Sequence, residues 1–234
     1  MAKKALCIGI NNYPGTDMDL QGCVNDATDW AGVLAERGFK VASLLDEQAT
    51  KAAMLKAMGE LIAKASKGDT LVITFSGHGT YQPDTDGDEV DGLDEALCPY
   101  DLQTNGEALT DDEIRNLFLT RKAGVRIVLI SDSCHSGTVT RAAKAEKDAD
   151  SRPRFMPMGN WLPDKLLPKN RSGKVAATMS GPAGTSPLVA AYSNKLGDLL
   201  LSGCKEGPNN FSYDARIDRK STRLNSSHAN VYRM

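Results

Sequence analysis

Short apolar runs alternate with longer amphipathic stretches along the first 135 residues of the chain. Apolar runs bounded by turn residues predict strands, and stretches in which apolar residues recur every three or four positions predict helices. The predicted strands span residues 5–10, 39–45, 71–75 and 125–130, with a further one at 196–201, and the predicted helices span residues 24–37, 51–66 and 111–121. This alternation predicts an α/β fold with a mostly parallel central sheet and helices on both faces.

Residues that typically begin and end helices stand where this pattern needs them. Gly38 follows the first predicted helix, and Thr50 is placed to cap the second. Thr110 and Glu113 have the spacing of a capping box at the start of the third helix. These residues therefore support the three predicted helices.

Two predicted strands end directly on reactive side chains. Residues 71–75 lead into Ser-Gly-His-Gly, which contains His78, and residues 125–130 lead into Ser-Asp-Ser-Cys-His-Ser-Gly, which contains Cys134. Ligands of an open parallel sheet bind at the carboxyl ends of its strands. If the two strands are neighbours, the imidazole and the thiol come within reach of each other, as a cysteine nucleophile and its base do. The sequence therefore predicts a cysteine hydrolase.

The composition allows this function and disfavours several others. The 234 residues are 41% hydrophobic and 25% charged with a net charge of -2, so neither nucleic acid nor a membrane is an expected partner. No apolar run approaches the ~20 residues of a membrane span, and the first residues lack a secretion signal, so a cytoplasmic location is expected. The five cysteines form no C-x-x-C pair, which argues against a disulfide framework and a zinc site. Most of them are expected to be inert packing residues.

The rhythm of strands and helices predicts four segments. Residues 1–140 form a catalytic part, residues 141–187 are a basic surface linker or insertion with little apolar periodicity, and residues 188–216 complete the same domain. From Asp218 to His228 the chain resembles the translation of a sequencing-library adapter, so residues 217–234 are expected to lie outside the fold. The natural protein is expected to differ there, which leaves the last strand and helix of the domain missing.

The two motifs around His78 and Cys134 together resemble the paired signature of the metacaspases, the caspase-like cysteine peptidases of bacteria, protists, fungi and plants. The spacing of 56 residues between the two side chains suits the caspase pattern. Further segments fit the family: Gly9-Ile10-Asn11-Asn12-Tyr13, Gly22-Cys23-Val24-Asn25-Asp26-Ala27, Asp86-Gly87-Asp88-Glu89 and Asp94-Glu95-Ala96-Leu97-Cys98-Pro99-Tyr100-Asp101. The resemblance implies a caspase-like three-layer αβα sandwich, with residues 1–140 similar to a large subunit and residues 188–216 to a truncated small one.

The chemistry of the two side chains can be argued beside the resemblance. His78 would assist the thiol of Cys134 and later protonate the leaving amine. The backbone N–H groups of Gly79 and Cys134 could hold the oxyanion, since glycine lets the main chain approach the reacting carbonyl closely. His135 competes for the role of base, and we favour His78 because adjacent residues diverge at the end of a strand.

Two acidic residues bear on substrate choice. Asp132 lies two residues before Cys134, and Asp26 follows the first strand, so both are expected at the same edge of the sheet. Two carboxylates would select a basic residue at P1, the residue before the cleaved bond, and would repel an acidic one. This agrees with the Arg/Lys preference that the resemblance implies. A helix cap at Asp26 and a turn at Asp132 remain alternatives, and Cys23 either lines the same opening or packs.

A second acidic cluster suggests a metal. Residues 84–95 carry acids at positions one, three, five and twelve of a calcium loop, but Glu89 stands where an EF-hand needs glycine, which argues against that motif. The resemblance implies a different calcium site formed by Asp94, Asp111 and Asp112. The site that the resemblance implies has a further aspartate a few residues after the nucleophile. In this chain that aspartate is absent, because residues 138–141 are Thr, Val, Thr and Arg. A solvated acidic loop and acids at a helix start remain the alternative.

The leading hypothesis is therefore a monomeric endopeptidase that cleaves polypeptides after Arg or Lys and that calcium activates. It could also cut itself in the linker, whose basic residues are Arg141, Lys144, Lys147, Arg152, Arg154, Lys165, Lys169, Arg171 and Lys174. Two alternatives stay open. One is a caspase-like scaffold without turnover, and the other is a related cysteine hydrolase with a different pocket.

Overall fold

The computed structural model describes residues 1–84, 93–133, 151–167, 199–202 and 213–215. The strands are β1 (Lys3–Gly9), β2 (Lys40–Leu45), β3 (Thr70–Ser76), β4 (Gly79–Pro83), β5 (Leu93–Leu97), β6 (Leu109–Thr110), β7 (Arg126–Asp132), β8 (Ser151–Pro153), β9 (Leu199–Ser202) and β10 (Tyr213–Ala215). The helices are α1 (Cys23–Glu36), α2 (Lys51–Ala63), α3 (Leu102–Asn105) and α4 (Asp111–Leu119), with 3-10 turns at Asp46–Gln48 and Met158–Asn160.

Within these residues, the central sheet has five parallel strands in the order β2-β1-β3-β7-β9. Alternate side chains of β1 enter two different apolar layers. Ala5 and Cys7 belong to the layer under α1, whereas Leu6 and Ile8 belong to the larger layer that α2 and α4 cover. The prediction of a three-layer α/β sandwich with a mostly parallel sheet is confirmed.

The predicted helix caps form as hydrogen bonds. The Thr50 hydroxyl accepts the N–H of Ala53 at 3.2 Å and so begins α2. At the start of α4, the Thr110 hydroxyl accepts the N–H of Glu113, and the Glu113 carboxylate accepts the N–H of Thr110. This reciprocal pair is the predicted capping box, and each cap stabilises its helix by about 1 kcal/mol.

Helix α2 ends at Ala63, three residues before the predicted end at residue 66. The chain turns there because hydrogen bonds to Asp69 fix the path of the backbone. The Asp69 carboxylate accepts the N–H groups of Ser66 and Ala2, and the Asp69 N–H donates to the Ser66 carbonyl. Gly68 supplies the positive φ of +91° that this turn needs. The side-chain bonds replace the last helical turn that the apolar pattern predicted.

A second sheet was not predicted. Strands β4, β5 and β6 form an antiparallel unit in which Gly79 pairs with Leu97 and Ala96 pairs with Thr110. These strands are only two to five residues long, and β5 carries two adjacent acids, so they lack the apolar alternation that indicates a strand. The unit matters for the site because β4 begins at Gly79, directly after His78.

The prediction of a surface linker over residues 141–187 is wrong for residues 151–167. In this stretch Met156 is fully buried and Trp161 nearly so, and both belong to the main core. The apolar residues stand among prolines and basic residues without helical or strand spacing, so the sequence pattern did not reveal them. Below, residues 151–156 are called the strap.

Several predicted features lie outside the described residues. They include residues 85–92 of the acidic loop, Cys134, His135, the linker residues 141–150 and 168–187, and the adapter-like residues 217–234. The last predicted strand, at 196–201, corresponds to β9 at Leu199–Ser202, paired in parallel with β7. Among the helices described, none is long and apolar enough to cross a membrane.

Candidate active site

The two strands that lead to the reactive side chains lie side by side. Strands β3 and β7 are parallel neighbours, and Ser76 at the end of β3 pairs with Asp132 at the end of β7. The Gly77 N–H donates to the Asp132 carbonyl at 3.5 Å and continues this contact beyond the pair. His78 follows Ser76 by two residues, and Cys134, outside the described residues, follows Asp132 by two. The cysteine-histidine hypothesis required the two strands to be neighbours, and the register meets this condition.

The backbone and ring of His78 are fixed from several sides. Its side chain is fully buried, its N–H donates to the Tyr13 hydroxyl at 2.8 Å, and its carbonyl accepts the N–H of Cys98 at 3.0 Å. The Tyr13 ring lies against the imidazole with 4.8 Å between ring centroids. Burial raises the pKa of Tyr13 well above its ordinary value, so its hydroxyl stays protonated. These contacts therefore hold His78 in one position.

The orientation of the imidazole follows from its contact with Met18. Nε2 of His78 lies 2.6 Å from the Met18 carbonyl oxygen. Because a carbonyl can only accept, Nε2 must carry the hydrogen. In neutral His78 the lone pair is then on Nδ1, which is the nitrogen able to take a proton. A backbone acceptor leaves no signature in a sequence, which is why sequence reasoning missed Met18.

Asp26 and Asp132, the two predicted substrate-binding residues, come together around a single guanidinium. Asp26 lies in the first turn of α1 and Asp132 at the end of β7. Nη2 of Arg154 contacts Asp26 Oδ2 at 2.5 Å, and Nη1 contacts Asp132 Oδ2 at 2.5 Å. The Arg154 side chain is only 4% exposed. The sequence grouped Arg154 with the linker, and no local signal indicated that it enters this site.

The charge state of Arg154 follows from its surroundings. Burial by itself lowers the pKa of the guanidinium, but the nearby Cys23 and the two carboxylates raise it more, and the result is a pKa above the ordinary value. Arg154 is therefore a cation held by two acids. Cys23 lies near Arg154 but is fully buried in the main core, so of the two alternatives for Cys23 the structure supports packing.

The predicted oxyanion donor also contacts the strap. The Gly79 N–H donates to the Arg154 carbonyl oxygen at 2.9 Å, and the Gly79 carbonyl accepts the N–H of Met156 at 2.8 Å. Gly79 forms an isolated parallel bridge with Phe155 between these two bonds. One residue, Arg154, thus places its side chain on the acidic pair and its carbonyl on Gly79.

The three residues predicted to bind calcium lie along the antiparallel unit. Asp94 in β5 and Asp111 at the start of α4 are buried, and Asp112 forms a long ion pair of 3.9 Å with Arg115. Among the described residues, no group of three or more His, Cys, Asp or Glu side chains is arranged to hold a metal ion. Calcium binding by these residues stays a prediction.

The other described cysteines have the properties of packing residues. Burial raises the pKa of Cys98 well above its ordinary value, and burial also raises the pKa of Cys7. Both thiols are fully buried. They are protonated near neutral pH and therefore poor nucleophiles.

A family model described as metacaspase, peptidase C14 domain matches residues 3–143 of the chain. The chain belongs to the metacaspase family. The matched region contains α1, β3 and β7, and thus the acidic pair and His78, whereas Arg154 lies beyond its end.

Curated metacaspases resemble the same region. Metacaspase-1B of Aspergillus oryzae is 44% identical over 146 residues, which cover 58% of this chain and 35% of that protein. Metacaspase-4 of Arabidopsis thaliana is 40% identical over 156 residues, which cover 62% of this chain and 36% of that protein. The chain therefore spans about a third of the length of the curated relatives it matches.

A solved structure resembles more of the chain. The crystal structure of protein GSU0716 from Geobacter sulfurreducens superimposes with a TM-score of 0.62 at 32% sequence identity. The match covers 91% of this chain and 78% of that chain. The likeness therefore extends beyond the region that the family model matches.

Proposed function

We propose that this metacaspase is a cysteine endopeptidase that hydrolyses peptide bonds after Arg or Lys. The observation that carries the proposal is the pair Asp26 and Asp132, which holds a guanidinium while the carbonyl of the same arginine accepts the N–H of Gly79. These are the two contacts that a basic P1 residue needs beside a reactive centre. Membership of a peptidase family supports the same reaction.

In the proposed mechanism, Nδ1 of His78 takes the proton of the Cys134 thiol, and the sulfur attacks the carbonyl carbon of the substrate. The Met18 carbonyl keeps Nε2 protonated and so leaves Nδ1 as the base. The charge that develops on the carbonyl oxygen is stabilised by the N–H groups of Gly79 and Cys134. Nδ1 then gives its proton to the departing amine, and water hydrolyses the thioester to release the acid and restore the thiol.

Two parts of the proposal concern control. Carboxylate oxygens are the donors that calcium prefers, so Asp94, Asp111 and Asp112 are the residues we propose to bind it, together with oxygen donors still to be identified. The basic residues of the linker would be substrates for the enzyme itself. Calcium would thus raise both peptide turnover and self-cleavage.

Peptide hydrolysis tests the proposal directly. Fluorogenic peptides ending in Arg, Lys or Asp would be incubated with the chain, with Cys134→Ala as the inactive control, in calcium chloride or chelator. We expect turnover of the Arg and Lys peptides only, and its loss in Cys134→Ala. Turnover of the Asp peptide, or equal activity of Cys134→Ala, would reject the proposed reaction.

The acidic pair and calcium have separate controls. Asp26→Asn and Asp132→Asn should each raise KM for the Arg peptide by about 10-fold to 100-fold, the equivalent of one charge-assisted hydrogen bond. Asp94→Asn should abolish the response to calcium without changing KM in its absence. Equal rates in calcium and chelator, with a single intact band on a gel, would exclude calcium activation and self-processing while leaving the peptidase reaction in place.

A further inference from the structure

The strap lies in the proposed active site in the way that a substrate would. The Arg154 guanidinium contacts Asp26 and Asp132, and the Arg154 carbonyl oxygen accepts the N–H of Gly79. A surface ion pair would account for the first contact alone. It would not also place the carbonyl of the same residue on the predicted oxyanion donor. Arg154 thus satisfies both requirements of a P1 residue at once.

The chain on the carboxyl side of Arg154 is anchored firmly. The Met156 N–H donates to the Gly79 carbonyl, and the Met156 carbonyl accepts the Thr80 hydroxyl at 2.7 Å. The Trp161 indole N–H donates to the same Thr80 oxygen at 3.1 Å. Met156, Thr80 and Trp161 are all buried. These bonds hold Arg154 beside the acidic pair as part of the same molecule.

An internal ligand has an advantage over a substrate in solution. A tethered group competes at an effective concentration that reaches the millimolar range for short flexible connections, without the entropy cost of association. Arg154 uses both of the carboxylates that a basic substrate would need, and its carbonyl uses the Gly79 N–H. Arg154 and a basic substrate therefore cannot occupy this position at the same time.

We propose that Arg154 is an internal occupant of the P1 pocket and keeps that pocket closed to external substrates until the strap withdraws. This inference rests on the proposed function for the identity of the pocket. It adds that a basic substrate can bind only after Arg154 has left the pocket. Arg152 offers a matched comparison, since it lies two residues away in the strap but is exposed and donates to the Asp17 carbonyl instead.

Binding of p-aminobenzamidine, a fluorescent amidinium that mimics an arginine side chain, tests the proposal without turnover. The Cys134→Ala chain serves as the parent, so that no variant can cut itself. Arg154→Gln should bind the probe at least ten times more tightly than the parent, and Arg152→Gln should match the parent. Equal affinity of Arg154→Gln and the parent, with native circular dichroism, would overturn the proposal.

A second variant guards against misfolding of Arg154→Gln, which leaves two carboxylates without their shared cation. Thr80→Val keeps Arg154 and both acids but removes the hydroxyl that joins Met156 to Trp161. It should also increase affinity for the probe, by loosening the strap. If Arg154→Gln does not fold, unchanged affinity of a folded Thr80→Val chain would overturn the proposal.

Turnover separates this inference from the proposed function. In chains that retain Cys134, Arg154→Gln should lower KM for the Arg peptide, with Arg152→Gln as control. Probe binding gained in Arg154→Gln, with no turnover of any basic peptide, would refute the peptidase and leave the internal occupant standing. Fast turnover that Arg154→Gln leaves unchanged would refute the occupant and leave the peptidase standing.

Discussion

Nε2 of His78 lies 2.6 Å from the carbonyl oxygen of Met18, a residue 60 positions earlier in the chain. A catalytic base needs a third group to orient it, and for His78, the proposed base, the main chain supplies that group. No substitution removes a carbonyl, so the positioning of His78 is best tested through the side chains that surround it. Tyr13 contacts His78 directly through its hydroxyl and its ring, and Gly77 leaves the space that Tyr13 occupies.

Replacing Tyr13 with Phe removes the acceptor for the buried N–H of His78. An unsatisfied buried donor costs about 1–3 kcal/mol, and the segment that carries the imidazole should shift to relieve it. We expect kcat for the Arg peptide to fall at least tenfold with a small change in KM, since the acidic pair is untouched. Tyr100→Phe, in the turn after β5, is the control and should retain the parent kcat. A Tyr13→Phe enzyme with full kcat would show that this bond does not position His78.

Gly77 must be glycine because a side chain would collide with two aromatic residues. A Cβ at this position would lie 2.7 Å from the Tyr13 hydroxyl oxygen and 2.8 Å from the Phe75 ring. Gly77→Ala should therefore displace Tyr13 and lower kcat by up to about 100-fold, the scale expected for a misplacement of 1 Å. Gly59→Ala in α2 meets its nearest neighbour at 3.6 Å and should leave steady-state kinetics unchanged.

Gly9 allows α1 to pack directly on β1. A Cβ there would lie 2.5 Å from the Cys23 carbonyl oxygen and 2.7 Å from the Ala27 side chain, both in α1. Gly9→Ala should push α1 outward, reduce the free energy of unfolding by about 1–3 kcal/mol and raise KM for Arg peptides, because α1 carries Asp26. Urea unfolding and KM measurements check the two effects.

The control for this prediction lies in the same helix. Gly32 of α1 is exposed, and an added Cβ would meet no atom within 4 Å. Gly32→Ala should raise the free energy of unfolding by about 0.5–1 kcal/mol, since alanine favours a helix interior, and leave KM unchanged. Equal stability of Gly9→Ala and the parent would mean that α1 accommodates the methyl group.

Asp69 makes stability depend on pH. The N–H groups of Ala2 and Ser66, which donate to its carboxylate, lower the pKa of Asp69 below the ordinary value of about 3.9. A carboxylate whose pKa is lower in the folded state stabilises the fold fully above its unfolded pKa, and this contribution is lost as the pH falls through the folded pKa. Asp69→Asn should therefore be less stable than the parent at pH 7, and the difference should shrink below about pH 4.

Urea unfolding at pH 7 and at pH 3 measures this difference. Asp164→Asn is a control of the same charge change at an exposed position in the turn after Trp161. It should differ little from the parent at either pH. If the free energies of unfolding of Asp69→Asn and the parent differ as much at pH 3 as at pH 7, the carboxylate charge of Asp69 is not what stabilises the fold.

The parallel sheet and its helices were predictable because each depends on local signals. Strand β7 has the apolar run of a buried strand, and the capping residues Thr50 and Thr110 stand at the helix starts. The prediction that β3 pairs with β7 required only that two apolar runs of similar length lie next to each other in the sheet. The predicted edge of the sheet, with His78, Asp26 and Asp132, follows from this order of elements.

Contacts that depend on distant, non-periodic residues could not be predicted. Met18 contributes a carbonyl, which every residue has, and Arg154 resembles the other basic residues of its segment until the fold places it between two acids. The buried apolar residues after Arg154 follow neither helical nor strand spacing. The sequence therefore indicated which side chains could react, but not which group occupies their pocket.

The buried contacts of residues 151–167 change what a break in the chain would do. Trp161, Met156 and Arg154 pack against residues that precede position 133, so both sides of a cut between residues 133 and 151 would remain attached to one core. Such a nicked protein should migrate as two fragments in denaturing electrophoresis and elute as a single particle in gel filtration. Separation of the fragments would require unfolding.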